Sequence, residues 1–115
     1  MANQPNSLPQ LTRGEMIPPL IQPVPPGIKR PRWSVMIPTY NCARFLRETL
    51  ESVLSQEIDP EEIQIEVIDD CSTSDDPEAV VCEFGQGRVS FYRKPANAGA
   101  ISNFNSCIER STGHY

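Results

Sequence analysis

Two short apolar runs that stop abruptly in polar residues constrain this chain most. Trp33 to Ile37 leads into Pro38-Thr39-Tyr40-Asn41, and Ile63 to Ile68 leads into Asp69-Asp70-Cys71-Ser72-Thr73-Ser74-Asp75. Between them Phe45, Leu46, Leu50, Val53 and Leu54 recur at helical period, which predicts a helix from about Ala43 to Gln56 with Asn41 as its N-cap. Strand, helix and strand in that order form a parallel β-α-β unit. Both polar clusters then lie at one edge of the sheet, the edge where open α/β sheets bind ligands.

The rest of the chain continues the alternation. Pro38 is read as the end of the first strand, because proline lacks a ladder donor. Asp76-Pro77 reads as N-cap and first helical position of a short helix to about Phe84, closed by Gly85 and Gly87. Val89 to Arg93 reads as a third strand. Pro95 to Gly99 is a loop, and a helix from about Ala100 to Ser111 carries Ile101, Phe104 and Ile108 on one face. Gly113 reads as its C′ stop. A fourth strand is due after it, beginning near His114 and Tyr115.

Composition sets the domain limits. Eight of the twelve prolines lie in residues 1–31, so residues 1–32 read as a proline-rich, disordered tail or linker. Residues 33–115 are left to form the core, a size at which a single domain is marginally stable. The net charge of −5 argues against nucleic acid as a partner. Lys29, Arg30 and Arg32 read as solvated linker charges, with anionic lipid as the alternative. No stretch is long and apolar enough to span a membrane. Cys42, Cys71, Cys82 and Cys107 have no zinc spacing and read as reduced thiols. With no apolar leader after a basic start, the expected compartment is the cytoplasm.

The chemistry at the ligand edge suits a nucleotide. An ionised Asp70 only accepts hydrogen bonds, so it would take an N–H edge such as that of uracil or guanine and disfavour cytosine N3. Tyr40 offers a flat ring for stacking. Asn97 and Gly99 supply a polar side chain and a loop that lets backbone approach closely. Asp69 reads as structural. A receiver-like Mg²⁺ site on the same aspartates would need a phosphoacceptor after the third strand, where Arg93-Lys94 stand instead.

Taken in order, Ser34 to Asn41, Leu50 to Gln56, Val67 to Thr73, Asn97-Ala98-Gly99, Asn105 and Gly113-His114-Tyr115 resemble the N-terminal part of a family 2 glycosyltransferase. The resemblance implies a partial Rossmann-like β-α-β-α-β-α half of the glycosyltransferase-A fold over 33–115. It also implies a nucleotide-diphosphate-sugar donor, UDP- or GDP-type rather than CDP-type, held by Pro38, Thr39, Tyr40, Asp70, Asn97 and Gly99. Transfer to a hydroxyl of a glycan, lipid or polysaccharide would follow, with a divalent metal (Mg or Mn) in the full-length enzyme and work at the inner face of a membrane. The family's Asp-x-Asp metal motif is missing, since the aspartates are 59, 69, 70, 75 and 76. No catalytic residue is therefore assigned, and the chain alone is expected to be inactive. The alternative is a stand-alone nucleotide-binding or protein-interaction module.

Overall fold

The computed structural model describes residues 21–115, and the reading of a tail over 1–20 lies outside them. The order is β1 (Trp33–Thr39), α1 (Ala43–Leu54), β2 (Ile63–Asp69), α2 (Pro77–Phe84), β3 (Ser90–Arg93) and α3 (Ala100–Arg110), with a 3₁₀ turn at Pro60–Glu62 before β2. The strands form one parallel sheet in the order β1-β2-β3. This is the mixed α/β architecture read from the sequence.

Pro38 does not end β1; it pairs with Ile68 in register. The direction of its neighbours explains why this is tolerated. The Thr39 carbonyl takes the Asp70 N–H on the β2 side, while the Ser34 N–H points the other way, to the Tyr115 carbonyl. Direction alternates along a strand, so Pro38 faces away from β2 and no bond of the β1–β2 ladder is lost.

Successive residues of β2 serve opposite faces. Val67 joins Leu46 and Leu50 of α1 and Val81 of α2 in the apolar core, with Ile37, Val89 and Phe91 packed against it. Glu66 points to the other face, where Arg110 of α3 binds it at 2.7 Å and lies over the Tyr92 ring at 3.9 Å. Thus α1 and α2 cover one face and α3 the other.

The packing of α3 corrects the sequence reading. Asn103 and Cys107 are its buried residues, whereas Ile101, Phe104 and Ile108 are exposed. The sheet face beneath α3 mixes Ser34, Gln64 and Glu66 with Met36, Ile68 and Tyr92, so a helix face of mixed polarity is the better partner. Gln64 accepts from Ser34 Oγ at 2.6 Å and from the Thr112 N–H at 2.9 Å, beyond the end of the helix. Phe45 is also exposed rather than packed, with the Arg44 guanidinium 4.6 Å from its ring centre. Asn41 does not cap α1: Cys42 holds that position, and Asn41 has φ 51°.

The last residues return to the free edge of β1. The Tyr115 N–H donates to Arg32 O and its carbonyl accepts from Ser34 N, the pattern of a parallel bridge around Trp33. Gly113 is not a left-handed stop but a close approach, since a Cβ there would lie 2.7 Å from the Trp33 carbonyl carbon. Nor are the basic residues before β1 merely solvated. Arg30 donates to the carbonyls of Thr112 and Gly113, and Lys29 pairs with Glu61. The chain therefore runs outward from β1 to β3 and comes back on the far side of β1, which makes β1 the switch point of the sheet.

Two predictions test this packing. Leu50→Ala removes a fully buried side chain and is expected to cost about 2–5 kcal/mol in urea unfolding. Phe45→Ala is expected to cost less than about 1 kcal/mol, and equal losses would contradict the face assignment. The four cysteines are free, and burial, with Glu66 adding, pushes the Cys107 thiol up. A thiol reagent at pH 8 should label exposed Cys42 and Cys82 rapidly and Cys107 only slowly, with Cys107 gaining reactivity as pH rises. The raised thiol favours the folded state below its ordinary pKa, and this contribution fades as pH climbs towards the raised value.

Candidate nucleotide site

The end of β2 is built around its two aspartates, and they take different parts. Asp69 is fully buried and turns back on its own loop, accepting from the Ser72 N–H at 3.0 Å and from Ser72 Oγ at 2.5 Å. Ser72 Oγ in turn accepts from the Asn41 N–H, and Asn41 Oδ1 accepts from the N–H groups of Thr73 and Ser74. Asp75 accepts from the Ala43 N–H at the start of α1. The loops after β1 and β2 are thereby locked together. Asp69 is structural, and Asn41 ties the two loops.

Asp70 reaches across the sheet edge instead. Its carboxylate accepts from Ala98 N at 3.0 Å and Gly99 N at 2.9 Å, and its backbone carbonyl accepts from Asn97 Nδ2 at 3.2 Å. Gly99 adopts φ 93°, a conformation that L side chains rarely take, so glycine is what lets this N–H turn towards the carboxylate. Lys94 lies 3.6 Å away and balances the charge. A carboxylate has about four acceptor positions, so two backbone donors leave capacity for a ligand.

These groups surround one cavity of about 300 Å³, at the lower end of the roughly 300–1,000 Å³ usual for ligand pockets. Pro38, Thr39 and Tyr40 line it from the end of β1, Asp70 from β2, and Asn97 and Gly99 from the loop after β3. All six residues chosen from the sequence thus share one wall. Tyr40 is 42% exposed, leaving a ring face accessible to a planar ligand. Asn105 stands on α3 but not in the wall.

Sequence reasoning missed three contributors. Lys94 is nearly buried and donates to Ser102 Oγ at 2.9 Å while facing Asp70. Phe104 lines the cavity from α3. Asn103, also in the wall, is 3% exposed and donates through Nδ2 to Ile68 O at 3.0 Å and Thr39 O at 3.4 Å. A polar residue between apolar ones in an amphipathic helix looks solvent-facing, and only the position of the sheet shows otherwise.

Among the described residues no group of three or more His, Cys, Asp or Glu side chains comes together. A receiver-like site would need a phosphoacceptor aspartate at the end of β3, where Arg93 and Lys94 stand. No helix of the described residues is long and apolar enough to cross a membrane.

Comparison with known proteins agrees with this fold. The family model for glycosyl transferase family 2 matches residues 34–115. An uncharacterized glycosyltransferase of Rickettsia typhi is 32% identical over 85 residues, covering 74% of this chain and 25% of that protein. Chondroitin synthase of Pasteurella multocida is 30% identical over 86 residues, covering 74% of this chain and 9% of that protein. The chain therefore spans about a quarter or less of the length of these relatives. Among solved structures, residues 1–349 of Staphylococcus aureus TarS superpose with TM-score 0.63 at 26% identity, covering 71% of this chain and 25% of that one. The Pyrobaculum calidifontis mannosyltransferase PcManGT, in complex with GDP-Man and Mn²⁺, superposes with TM-score 0.62 at 24% identity, covering 83% of this chain and 28% of that one, and so supports the fold. The chain belongs to glycosyl transferase family 2, in the glycosyltransferase-A fold.

Proposed function

We propose that this domain holds the nucleoside diphosphate of a nucleotide-sugar donor, for transfer of the sugar to a hydroxyl acceptor on a glycan, lipid or polysaccharide. The observation that carries the reading is the cavity at the carboxyl ends of β1 and β2, lined by Pro38, Thr39, Tyr40, Asp70, Asn97 and Gly99. Tyr40 stacks on the base or contacts the ribose. Asp70 accepts an N–H of the base with its remaining lone pairs, and Asn97 and Gly99 fix the loop that closes that side. The PcManGT structure, with its GDP-Man and Mn²⁺, supports a nucleotide sugar as ligand. A divalent ion would supply charge neutralisation at the leaving diphosphate, and it would need ligands other than those described here.

Removing a carboxylate that serves two backbone donors also loosens the loop. Asp70→Ala is expected to destabilise the fold by about 2–3 kcal/mol, read in urea, and to abolish nucleotide binding. Calorimetric titration of the wild-type chain should show weak binding of UDP or GDP and none of CDP. Binding of CDP equal to theirs would contradict a carboxylate reading the base. Incubated with a nucleotide sugar and Mn²⁺, the 115-residue chain should transfer nothing, and measurable transfer would overturn that part of the reading.

A further inference from the structure

Two buried polar atoms belong to residues of the cavity wall and have no partner. Asn103 Oδ1 and Thr39 Oγ1 are buried without a hydrogen bond, although both residues line the cavity. The amide of Asn103 cannot be turned round to relieve this. Its Nδ2 faces the carbonyls of Ile68 and Thr39, and an oxygen there would face two other oxygens. Oδ1 is therefore held as a fixed acceptor. Native structures seldom leave such a group unpaired, and a ligand site is one place where they do.

The position of Asn103 relative to Asp70 gives this acceptor a meaning. One carbonyl, that of Thr39, takes both the Asp70 N–H at 2.9 Å and Asn103 Nδ2 at 3.4 Å. The Asp70 backbone and the Asn103 amide thus meet at one carbonyl, which makes the two residues neighbours at the sheet edge, one carrying a carboxylate and the other a fixed amide oxygen. Thr39 adds a hydroxyl that can donate. Two acceptors and one donor match a base edge with two N–H donors and one carbonyl. Guanine has that edge, in N1–H, the N2 amine and O6. Uracil has one N–H between two carbonyls and would leave one of the acceptors facing an oxygen.

Resting on the reading of the cavity as a nucleotide site, we propose that Asn103 is a specificity-determining residue. Its Oδ1 accepts from the guanine N2 amine, which makes the donor a guanosine-diphosphate sugar. Asp70 takes the neighbouring N1–H, and the Thr39 hydroxyl donates to O6.

The test is a cycle over ligand and protein, with GDP, IDP and UDP titrated calorimetrically into the wild-type chain and Asn103→Ser. IDP is GDP without the N2 amine. The serine removes the amide oxygen together with the bonds to the strand carbonyls of Ile68 and Thr39, and urea unfolding verifies that the variant is folded. Wild type should bind GDP about tenfold more tightly than IDP, and more tightly than UDP. In Asn103→Ser the GDP/IDP ratio should collapse to about one, which a purely structural role would not produce. Equal binding of GDP and IDP by wild type, tighter binding of UDP, or equal loss of both purine nucleotides in the variant would each overturn the proposal. If wild type binds none of the three, the nucleotide reading itself fails. Should Asn103→Ser not fold, the Asn103 side-chain amide resonances of wild type decide: they should shift with GDP and stay in place with IDP, and an equal shift with both would overturn the proposal.

Discussion

At the end of β2 the buried carboxylate of Asp70 takes the N–H groups of Ala98 and Gly99, while its own carbonyl takes the Asn97 side chain. These contacts join residues far apart in sequence, and they fix where α3 begins. Without them the loop after β3 keeps the Lys94 N–H on Asp69 O and the Cys71 thiol on Pro95 O, and the start of α3, which lets Asn103 reach the carbonyls of Ile68 and Thr39, is loosened. The cavity is what remains between the end of β1 and this pinned loop. A single charged side chain thus positions the wall of the site and supplies one of its acceptors. Lys94, 3.6 Å away, offsets part of the cost of burying it.

The two faces of the sheet follow different physics. Under α1 and α2, Leu46, Leu50, Val67 and Val81 pack as an ordinary apolar core. Under α3 the contact is partly polar: beside buried Ile68 and Cys107, Glu66 is held by Arg110 and Gln64 lies between Ser34 and Thr112. Polar contacts are directional, so they set the register of α3 on the sheet more narrowly than apolar packing would. The same arrangement leaves Ile101, Phe104 and Ile108 facing outward. Directional placement of α3 matters for the site, because Asn103 and Phe104 reach the cavity from this helix.

Much of this was legible in the residues. The apolar runs before Pro38 and Asp69 marked the strands, Asp76-Pro77 marked the start of α2, and the polar ends of the strands marked the edge where the cavity lies. What could not be read depended on partners distant in sequence. Helical periodicity finds an apolar face on α3 but does not tell whether the sheet beneath it is apolar. Asn41 resembled an N-cap by position, and its left-handed backbone turned it towards Thr73 and Ser74 instead. Pro38 resembled a strand end, because the side of the ladder it faces depends on pairing. Asn103 had no local signal at all; its role follows from two carbonyls that the sheet brings to it.

The central claim is that the polar ends of β1 and β2, closed by the loop pinned on Asp70, form a nucleotide site. The most direct test is a backbone amide spectrum of the ¹⁵N-labelled chain during addition of a guanosine or uridine diphosphate. The account predicts shifts confined to residues 39–41, Asp70 and residues 97–104, with the amides of the α1–α2 core unmoved. Shifts centred on α1 and α2, or no shift in a folded chain at millimolar nucleotide, would contradict it.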